Sequence, residues 1–469
     1  MIEGCGVVGV ALDEPKEPSH AALSLFYALY SLQHRGQESA GIAVRKDEKV
    51  HLIKEMGLVP EVFNRQNLKE LEGNVGVGHV RYSTTGESRI ENSQPLLINH
   101  KSGSIALAHN GNLVNSEELR MKIESEGGIF LSTSDTEIIA HLLVRELMKA
   151  DYAYAIGALM KQLVGSYSLT ILIDDTLIAV RDPLGLKPLC YGKIEGGYIV
   201  ASESAAIDTL KGEFIRDIKP GEVLIFDGYR PVSHRIFKPQ NTAHCVFEYI
   251  YFARPDSIID GKIVYDVRRR IGETLVEEHD VEVDVVSPVP DSGVTSAIGY
   301  AKASGVDYME SLIKNRYSGR TFILPSQYMR DIAVRLKLNA VSSNVKEKRI
   351  ALIDDSIVRG TTSRRIIDSL RSGGAKEIHA RFGSPPIISP CYLGIDMATR
   401  DELIAAHNSI EDVGRMINAD SIGYVSIDGL VKSIGIPAEN LCMGCLTEVY
   451  PVNIPGEKCA IRQLTLAQF

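Results

Sequence analysis

Two adjacent carboxylates, Asp354 and Asp355, stand where an apolar run ends and a hydroxyl-rich loop begins. The surrounding stretch, Arg349 to Asp368, predicts a buried strand, a tight glycine-containing loop and then a helix. Carboxylates in this position can bind ribose hydroxyls or a metal ion, and the N–H groups at a helix N-terminus favour an anion. The order of the three elements therefore predicts a ligand that carries both a sugar ring and a phosphate group.

The loop after these carboxylates distinguishes this motif from other strands that end in two aspartates. Another run, ILIDDTLIAV at residues 171–180, also ends an apolar strand in two aspartates, but it lacks the Arg-Gly-Thr-Thr continuation. We interpret Asp174–Asp175 as a hairpin turn between two strands. The candidate phosphate-binding residues are Ser356, Ile357, Val358, Arg359, Gly360, Thr361 and Thr362.

A cysteine near the start of the chain, Cys5, is a candidate nucleophile. If residues 1–4 were cleaved as a propeptide, its own α-amine, with an ordinary pKa of about 8, could act as the general base. A thiolate attacks an amide carbon readily. From position alone, a small buried cysteine in the first strand is the simpler interpretation.

Composition excludes several classes of protein. The 469 residues predict two or three domains, and the net charge of −9 argues against a nucleic-acid-binding surface. No apolar run approaches the roughly 20 residues that span a bilayer, and no secretory signal is visible. We therefore expect a cytoplasmic protein without nucleic-acid or membrane partners. Seven cysteines, an odd number, are then catalytic, metal-binding or buried rather than paired in disulfides.

The pattern of predicted helices and strands changes about halfway along the chain. The first ~230 residues contain short apolar strands and two amphipathic helices, one after Ser19 and one capped by Ser134 with Glu137 three residues on. Strands covered by helices suggest an α/β sandwich. From about residue 258, helices and strands alternate, which indicates a parallel sheet. We place the boundary in the polar stretch Arg235–His244.

Motifs in the first half resemble those of N-terminal-nucleophile glutamine amidotransferases. They are YSLQHRGQESAGIA (30–43), GHVRYSTTG (78–86), LAHNGNLVN (107–115), SDTE (134–137), RDPLGLKPL (181–189) and ASES (201–204). The resemblance implies an αββα sandwich in which Cys5 is the nucleophile. It also implies that Arg81 and Asp135 bind the α-carboxylate and α-amine of glutamine, and that Asn110 and Gly111 form the oxyanion hole.

The second half resembles type I phosphoribosyltransferases. ALIDDSIVRGTT matches their signature, and the resemblance assigns PVPDSG (288–293) to pyrophosphate and Mg²⁺. It implies that Ser292, Asp354 and Asp355 contact the metal. The basic stretch KNRYSGRTFILPSQYMR (314–330) is similar to the loop that closes over phosphoribosyl pyrophosphate. Its positive charges are Lys314, Arg316 and Arg320.

Four cysteines form a further constellation. The Cys-x-x-Cys pair Cys442–Cys445 suggests zinc, a redox dithiol or an iron–sulfur site. Cys245 and Cys391 are distant in sequence, and both lie in family-like segments. In the bacterial and archaeal relatives that this chain resembles, the four positions ligate a [4Fe–4S] cluster. Zinc held by four thiolates is the competing interpretation.

The whole chain resembles the amidophosphoribosyltransferase family. The resemblance implies a glutaminase domain (5–235), a phosphoribosyltransferase domain with a Cys-bearing C-terminal segment (236–469), and formation of 5-phosphoribosylamine at the start of purine synthesis. It implies one Mg²⁺ and one [4Fe–4S] cluster per subunit, a homotetramer, and feedback by AMP, GMP and ADP. Two alternatives remain at this point: an amidotransferase with another acceptor, such as fructose 6-phosphate or aspartate, and a ligand-sensing regulator.

Overall fold

A computed structural model describes residues 4–13, 20–82, 88–101, 103–227, 230–315, 338–397, 399–457 and 460–461. Within them, the first half of the chain forms two facing antiparallel sheets. One sheet has seven strands. Their order across the sheet is Glu213–Asp217, Cys190–Ile194, Gly197–Ala201, Gly6–Leu12, Val75–Arg81, Ser39–Lys46 and Lys49–Met56.

The second sheet has six strands in the described residues. Their order is Arg230–Arg235, Glu222–Asp227, Thr176–Arg181, Gly165–Ile173, Gly103–Leu113 and Leu96–His100. The strands predicted around Gly41–Val44, Val75–Val80, Ile105–Ala108, Leu169–Ile173 and Tyr198–Ala201 are confirmed. Asp174 and Asp175 form the tight turn between two paired strands, as the sequence predicted, and Asp174 has a positive φ of 50°.

Apolar side chains on both faces of these sheets create three layers of core. Val7, Val77 and Leu172 fill the space between the sheets. On the outer face of the seven-stranded sheet, helix His20–Ser31 buries Leu25 and Leu29 at the predicted helical spacing. The outer face of the other sheet is covered by further helices. The other described helices of this half are Val59–Val62, Arg65–Glu70, Ser116–Ser125, Asp135–Leu147, Tyr152–Met160 and Ala205–Thr209, with a 3₁₀ turn at Ile90–Asn92.

The predicted N-cap at Ser134 is confirmed, but neither of the two reciprocal hydrogen bonds of a capping box is present. The Ser134 hydroxyl accepts from the N–H of Thr136, so this residue does cap helix Asp135–Leu147. The Glu137 carboxylate, however, accepts from the backbone N–H groups of Leu131 and Ser132 and from the Ser132 hydroxyl. The capping box was therefore wrong in this detail, because the preceding loop offers Glu137 three donors.

The second half is built on a parallel sheet, as the alternating pattern predicted. Its strand order is Val285–Pro288, Arg349–Asp354, Glu377–Phe382 and Ser421–Tyr424. Apolar clusters pack on both faces of this sheet. The helices of this half are Val264–His279, Val294–Ser304, Ser342–Val345, Thr361–Ser372, Ile404–His407, Ile410–Met416, Ile427–Ile434 and Gly444–Thr447.

Smaller elements complete the second half. Pairs of short strands are Leu312–Lys314 with Leu338–Ala340, His244–Cys245 with Leu441–Cys442, Ile258–Ile259 with Lys262–Ile263, and Val449–Tyr450 with Ala460–Ile461. A π-helical segment occupies Glu248–Phe252, and 3₁₀ turns occupy Arg400–Glu402 and Ala438–Asn440. None of the described helices combines the length and hydrophobicity needed to cross a lipid bilayer.

Buried charged groups join the two halves. Arg35, from the first half, is fully buried and pairs with Glu203 and with Glu248, a residue of the π-helical segment. Arg181 makes a two-pronged ion pair with Asp260, which also contacts the His244 ring. Because a buried charge is costly without its partner, these contacts fix how the halves meet.

Candidate active sites

Cys5 lies immediately before strand Gly6–Leu12 and is buried. Its Sγ is 3.5 Å from the carbonyl oxygen of Tyr82, and its own carbonyl accepts from the Arg35 Nε at 3.0 Å. Burial raises the pKa of the Cys5 thiol, and the positive charges of Arg81 and Lys187 oppose that rise. Because burial outweighs these charges, the sulfur is held as a thiol, and a base must take its proton when the sulfur attacks.

The two residues predicted to bind glutamine lie near this thiol. Arg81 ends strand Val75–Arg81, is buried, and lies 3.5 Å from a Glu38 carboxylate oxygen. Asp135 begins helix Asp135–Leu147 and accepts from the backbone N–H of Leu113 at 3.0 Å. Burial alone would raise the pKa of Asp135, but the His109 ring and its hydrogen bonds hold that pKa below its ordinary value. Both charges therefore act on one small volume around Cys5.

Asn110 and Gly111 are the predicted oxyanion hole. Asn110 is almost completely buried, and among the described residues its side-chain amide has no hydrogen-bond partner at either Oδ1 or Nδ2. An unsatisfied buried amide is costly, so such a group is commonly kept for a ligand. Gly111 has a φ of 155°, and a Cβ there would lie 2.1 Å from the Ser166 carbonyl oxygen. Only glycine fits at this point of the strand.

Several site-supporting residues were not singled out by the sequence. Arg35, Glu203, Lys187 and Glu248 lie inside the motifs QHRG, ASES, RDPLGLKPL and EYIYFARPDS. Arg35 donates to both glutamates and to the carbonyl of Cys5, so it ties the nucleophile to the second half of the chain. The signal that could have found these residues was a set of charges inside otherwise apolar, motif-bearing segments.

Asp354 ends strand Arg349–Asp354 and Asp355 follows it, at the carboxyl edge of the parallel sheet, where ligands bind in such sheets. The N–H of Asp355 donates to Asp354 Oδ1, and the N–H of Ser356 donates to Asp355 Oδ1. Burial and then the charge of Asp355 raise the pKa of Asp354 well above its ordinary range. Burial also raises the pKa of Asp355, although the Arg268 guanidinium opposes the effect. Two such carboxylates suit a cation or a set of hydroxyl donors.

The predicted phosphate-binding loop leads directly into helix Thr361–Ser372. Gly360 is the residue before that helix and has a left-handed φ of 75°. Ile357 is buried, and the Val358 carbonyl accepts from the N–H of Ile404, so the loop is anchored on its apolar side. Arg359 forms an exposed ion pair with Glu402 at 3.0 Å. The loop thus ends at the N-terminus of helix Thr361–Ser372, the electropositive end of that helix.

The loop that carries Ser292 lies beside the two aspartates. Strands Val285–Pro288 and Arg349–Asp354 pair in parallel, and a Cβ on Gly293 would lie 2.3 Å from the Ile353 carbonyl oxygen. Lys314 reaches this loop and donates to Asp291 Oδ2 at 2.6 Å. The structure thus brings Lys314 to the Ser292 loop. The other two predicted cations, Arg316 and Arg320, lie outside the described residues, as do residues 1–3 of the predicted propeptide.

The four cysteines gather where the C-terminal segment meets the start of the second half. Cys245 and Cys442 are opposite each other in two paired parallel strands. The Cys445 carbonyl accepts from the N–H groups of Ile388 and Ser389, close to Cys391 in sequence. Burial raises the pKa of Cys245 to about 11. The pKa of Cys445 is also raised, mainly by burial and to a lesser extent by the other three sulfurs. All four are free thiols.

The cysteine donor set fits a soft metal centre, since it brings together four thiols, one buried and three partly buried. In the side-chain positions of the described residues, however, no three His, Cys, Asp or Glu groups are arranged to hold a metal ion. Ligation would therefore require the thiols to turn towards one another. The same observation applies to Asp354 and Asp355, where Mg²⁺ would need ligands from its substrate.

Known proteins resemble both parts of this arrangement. A family model for the glutamine amidotransferase domain matches residues 79–209. An amidophosphoribosyltransferase of Archaeoglobus fulgidus is 53% identical over 458 residues, which cover 97% of this chain and 99% of the relative. One from Bacillus subtilis is 45% identical over 460 residues, covering 96% of this chain and 95% of the relative. A solved structure of the B. subtilis glutamine phosphoribosylpyrophosphate amidotransferase, complexed with ADP and GMP, has a TM-score of 0.89 and 44% identity, with 97% of this chain and 98% of that chain covered.

The fold is therefore that of an N-terminal-nucleophile glutamine amidotransferase followed by a type I phosphoribosyltransferase, as the sequence predicted. The relatives match along nearly the whole length of this chain and of their own. The chain belongs to the amidophosphoribosyltransferase family. It is an enzyme of the glycosyltransferase class, and the two alternatives left open by the motifs are disfavoured by these full-length matches.

Proposed function

We propose that the chain makes 5-phosphoribosylamine, glutamate and pyrophosphate from phosphoribosyl pyrophosphate, glutamine and water, the first step of purine synthesis. One observation carries this proposal most directly. Cys5 is buried within electrostatic reach of Arg81 and Asp135, and the buried amide of Asn110 has no hydrogen-bond partner among the described residues. The aspartate pair lies in the other half of the same chain. The two proposed domains are residues 5–235 and 236–469.

The first stage is an acyl transfer at Cys5. Removal of residues 1–4 gives Cys5 a free α-amine, which takes the thiol proton as the sulfur attacks the side-chain amide carbon of glutamine. Asn110 and Gly111 donate to the oxyanion of the tetrahedral intermediate. The intermediate expels ammonia, to which the α-ammonium returns the proton, and leaves a glutamyl thioester. Water then hydrolyses the thioester to glutamate and restores the thiol.

Arg81 and Asp135 provide specificity for glutamine. A guanidinium binds a carboxylate through two parallel hydrogen bonds, and a carboxylate accepts from an ammonium. Both side chains are buried, so their charges are poorly screened. The low pKa of Asp135 keeps this carboxylate ionised at neutral pH, which is the state that an α-ammonium group requires.

The second stage takes place at the carboxyl edge of the parallel sheet. Ammonia passes inside the protein to C1 of phosphoribosyl pyrophosphate, forms the C–N bond and displaces pyrophosphate. Asp354 and Asp355 orient the ribose hydroxyls and compensate the positive charge that develops at C1. The loop Ser356–Thr362 binds the 5-phosphate at the helix N-terminus. Ser292 and Lys314, with Arg316 and Arg320, hold the pyrophosphate.

Two inorganic cofactors fit the donor sets of this chain. Mg²⁺, when bound near Ser292, Asp354 and Asp355, supplies positive charge that stabilises the departing pyrophosphate. Cys245, Cys391, Cys442 and Cys445 would hold a [4Fe–4S] cluster, with zinc as the alternative. Because no step of the reaction needs an electron, we assign the cysteine cluster a structural role at the junction of the C-terminal segment.

The proposals for regulation and assembly are based on related proteins. The matched B. subtilis structure contains ADP and GMP, and another match is described as the allosteric regulatory enzyme of purine biosynthesis. We propose that AMP, GMP and ADP inhibit this chain and that it assembles as a homotetramer in the cytoplasm. No nucleic-acid or membrane partner is proposed.

The substitution Cys5→Ala tests the division of labour. It should abolish glutamine-dependent synthesis and leave ammonia-dependent synthesis within about twofold, since the phosphoribosyl site keeps all its groups. Cys190→Ala is the matched control, because it removes another buried thiol, one that hydrogen-bonds only to the Ala201 carbonyl among the described residues. The control should retain both activities. Equal loss of both activities in Cys5→Ala would reject the proposal.

A further inference from the structure

A short segment of the second half lies directly against the proposed oxyanion hole. In this bridging segment, residues 391–394, three successive carbonyl groups each accept a hydrogen bond from a side chain of the first half. Asn112 Nδ2 donates to the Tyr392 oxygen at 2.8 Å, and Ser166 Oγ donates to the Leu393 oxygen at 2.9 Å. Lys187 Nζ donates to the Gly394 oxygen at 2.9 Å. Three consecutive contacts of this kind fix the backbone of the bridging segment.

Gly394, the last residue of this segment, packs on Gly111 at the peptide that joins it to Asn112, next to the Gly111 N–H of the proposed oxyanion hole. Its φ is 86°, and a Cβ at this position would lie 2.8 Å from the Gly111 carbonyl carbon, 3.0 Å from its Cα and 3.2 Å from the Asn112 nitrogen. A Cβ on Gly111 itself would lie 2.1 Å from the Ser166 carbonyl oxygen, so Gly111 also fits closely against its own sheet. Gly111 therefore lies between its own sheet and the bridging segment, with no room for a side chain on either glycine.

Lys187 is an unusual donor for a purely structural contact. Its side chain is only 1% exposed, and within the described residues it makes no ion pair with a carboxylate. Its Nζ lies 5.7 Å from the centre of the Phe252 ring, and its charge acts on the thiol of Cys5. Because an unpaired buried ammonium is expensive, a role in placing charge and backbone at the glutaminase site accounts for its presence.

We propose that Lys187, together with Asn112 and Ser166, is a positioning residue that holds the bridging segment of the second half against Gly111. The phosphoribosyltransferase half thereby keeps the oxyanion hole of the glutaminase half in its working geometry. This inference rests on the proposed glutaminase function and adds to it.

The substitution Gly394→Ala tests the contact from the side of the second half. The added Cβ must displace the Gly111 peptide, so the glutaminase kcat should fall by about 100-fold, the loss typical of one oxyanion donor. The KM for glutamine should stay within about threefold, because Arg81 and Asp135 are untouched. Ammonia-dependent synthesis should stay within about twofold. Gly305→Ala is the matched control, since Gly305 also has a left-handed φ, 71°, but no atom within 4 Å of the added Cβ.

A second pair of variants tests the donor. Lys187→Met should lower the glutaminase kcat by about tenfold or more with little change in KM, and Lys187→Arg should recover part of that loss by restoring a cationic donor. Circular dichroism and gel filtration report whether each variant folds. If Gly394→Ala does not fold, the kcat effect of Lys187→Met and its partial rescue decide the question.

The outcomes separate this inference from the proposed function. If the parent protein hydrolyses glutamine and folded Gly394→Ala hydrolyses it at the same kcat, the positioning role is wrong and the function stands. A parallel loss of both activities in Lys187→Met, without rescue by arginine, would show a general structural defect and overturn the inference. If the parent itself does not hydrolyse glutamine, the proposed function fails first.

Discussion

The buried contact between Arg35 and Glu248 allows a quantitative test of how the halves are joined. Arg35 Nη1 and Nη2 donate to the two carboxylate oxygens of Glu248 at 3.0 and 2.7 Å, and both side chains are almost completely buried. Glu248→Gln keeps one acceptor oxygen but places an NH₂ group against the guanidinium. The variant therefore loses one charged hydrogen bond and leaves buried donors facing each other.

The size of the stability loss depends on the contacts that Arg35 keeps in the Glu248→Gln variant. Removing one partner of a buried ion pair costs about 3–5 kcal/mol. Glu203 still neutralises Arg35 at 2.6 Å, so we expect a smaller loss, about 2–3 kcal/mol in the free energy of unfolding. For a domain of this size the unfolding midpoint should fall by roughly 4–12 °C.

Differential scanning calorimetry at pH 7.5 is the assay, with Glu277→Gln as the control. Glu277 makes the same kind of ion pair, with Lys432, but both side chains are more than half exposed. An exposed pair contributes little, so the control should melt with the parent. Because Arg35 also donates to the Cys5 carbonyl, Glu248→Gln should lose more glutamine-dependent than ammonia-dependent activity. If Glu248→Gln melts at the same temperature as Glu277→Gln, the buried pair does not join the halves.

Three other results are expected. Asp354→Asn should abolish phosphoribosyl transfer yet raise the unfolding midpoint at pH 8. Burial and Asp355 raise the folded-state pKa of Asp354, so its ionisation destabilises the fold at high pH. The rise in the unfolding midpoint should therefore disappear as the pH falls towards 4. An unfolding midpoint of the variant at pH 8 that equals or lies below that of the parent protein would contradict this expectation. Lys314→Ala should raise the KM for phosphoribosyl pyrophosphate about tenfold; an unchanged KM would remove Lys314 from the site. Anaerobically purified protein should contain roughly four irons per chain, whereas stoichiometric zinc would overturn the cluster.

Local patterns in the sequence were sufficient for much of the fold. Alternation and helical spacing predicted the strands and the helix His20–Ser31, because one face of each element packs on a core. The turn at Asp174–Asp175 was predicted from its polar residues between two apolar strands. The side chain of Glu137 was not, since its choice between the Ser134 N–H and the loop N–H groups depends on how that loop folds back.

In the candidate sites too, local sequence patterns predicted some residues and missed the long-range contacts. Cys5, Asn110 and Asp354 could be singled out because their motifs are local in sequence. The pairing of Arg35 with Glu248 spans 213 positions, and no spacing rule predicts such a contact. The bridging segment acts through backbone carbonyls, which any residue type carries, so its contacts with Lys187 leave no mark on the sequence apart from Gly394.

The stoichiometry of the two half-reactions tests the central claim most directly. Purified protein that begins at Cys5 should be supplied with Mg²⁺, glutamine and phosphoribosyl pyrophosphate, and glutamate and pyrophosphate should be measured together. Without added ammonia, one pyrophosphate released per glutamate formed, with nitrogen from amide-labelled glutamine in the product, is the expected result. Glutamate without pyrophosphate, or no turnover of either substrate, would contradict the account.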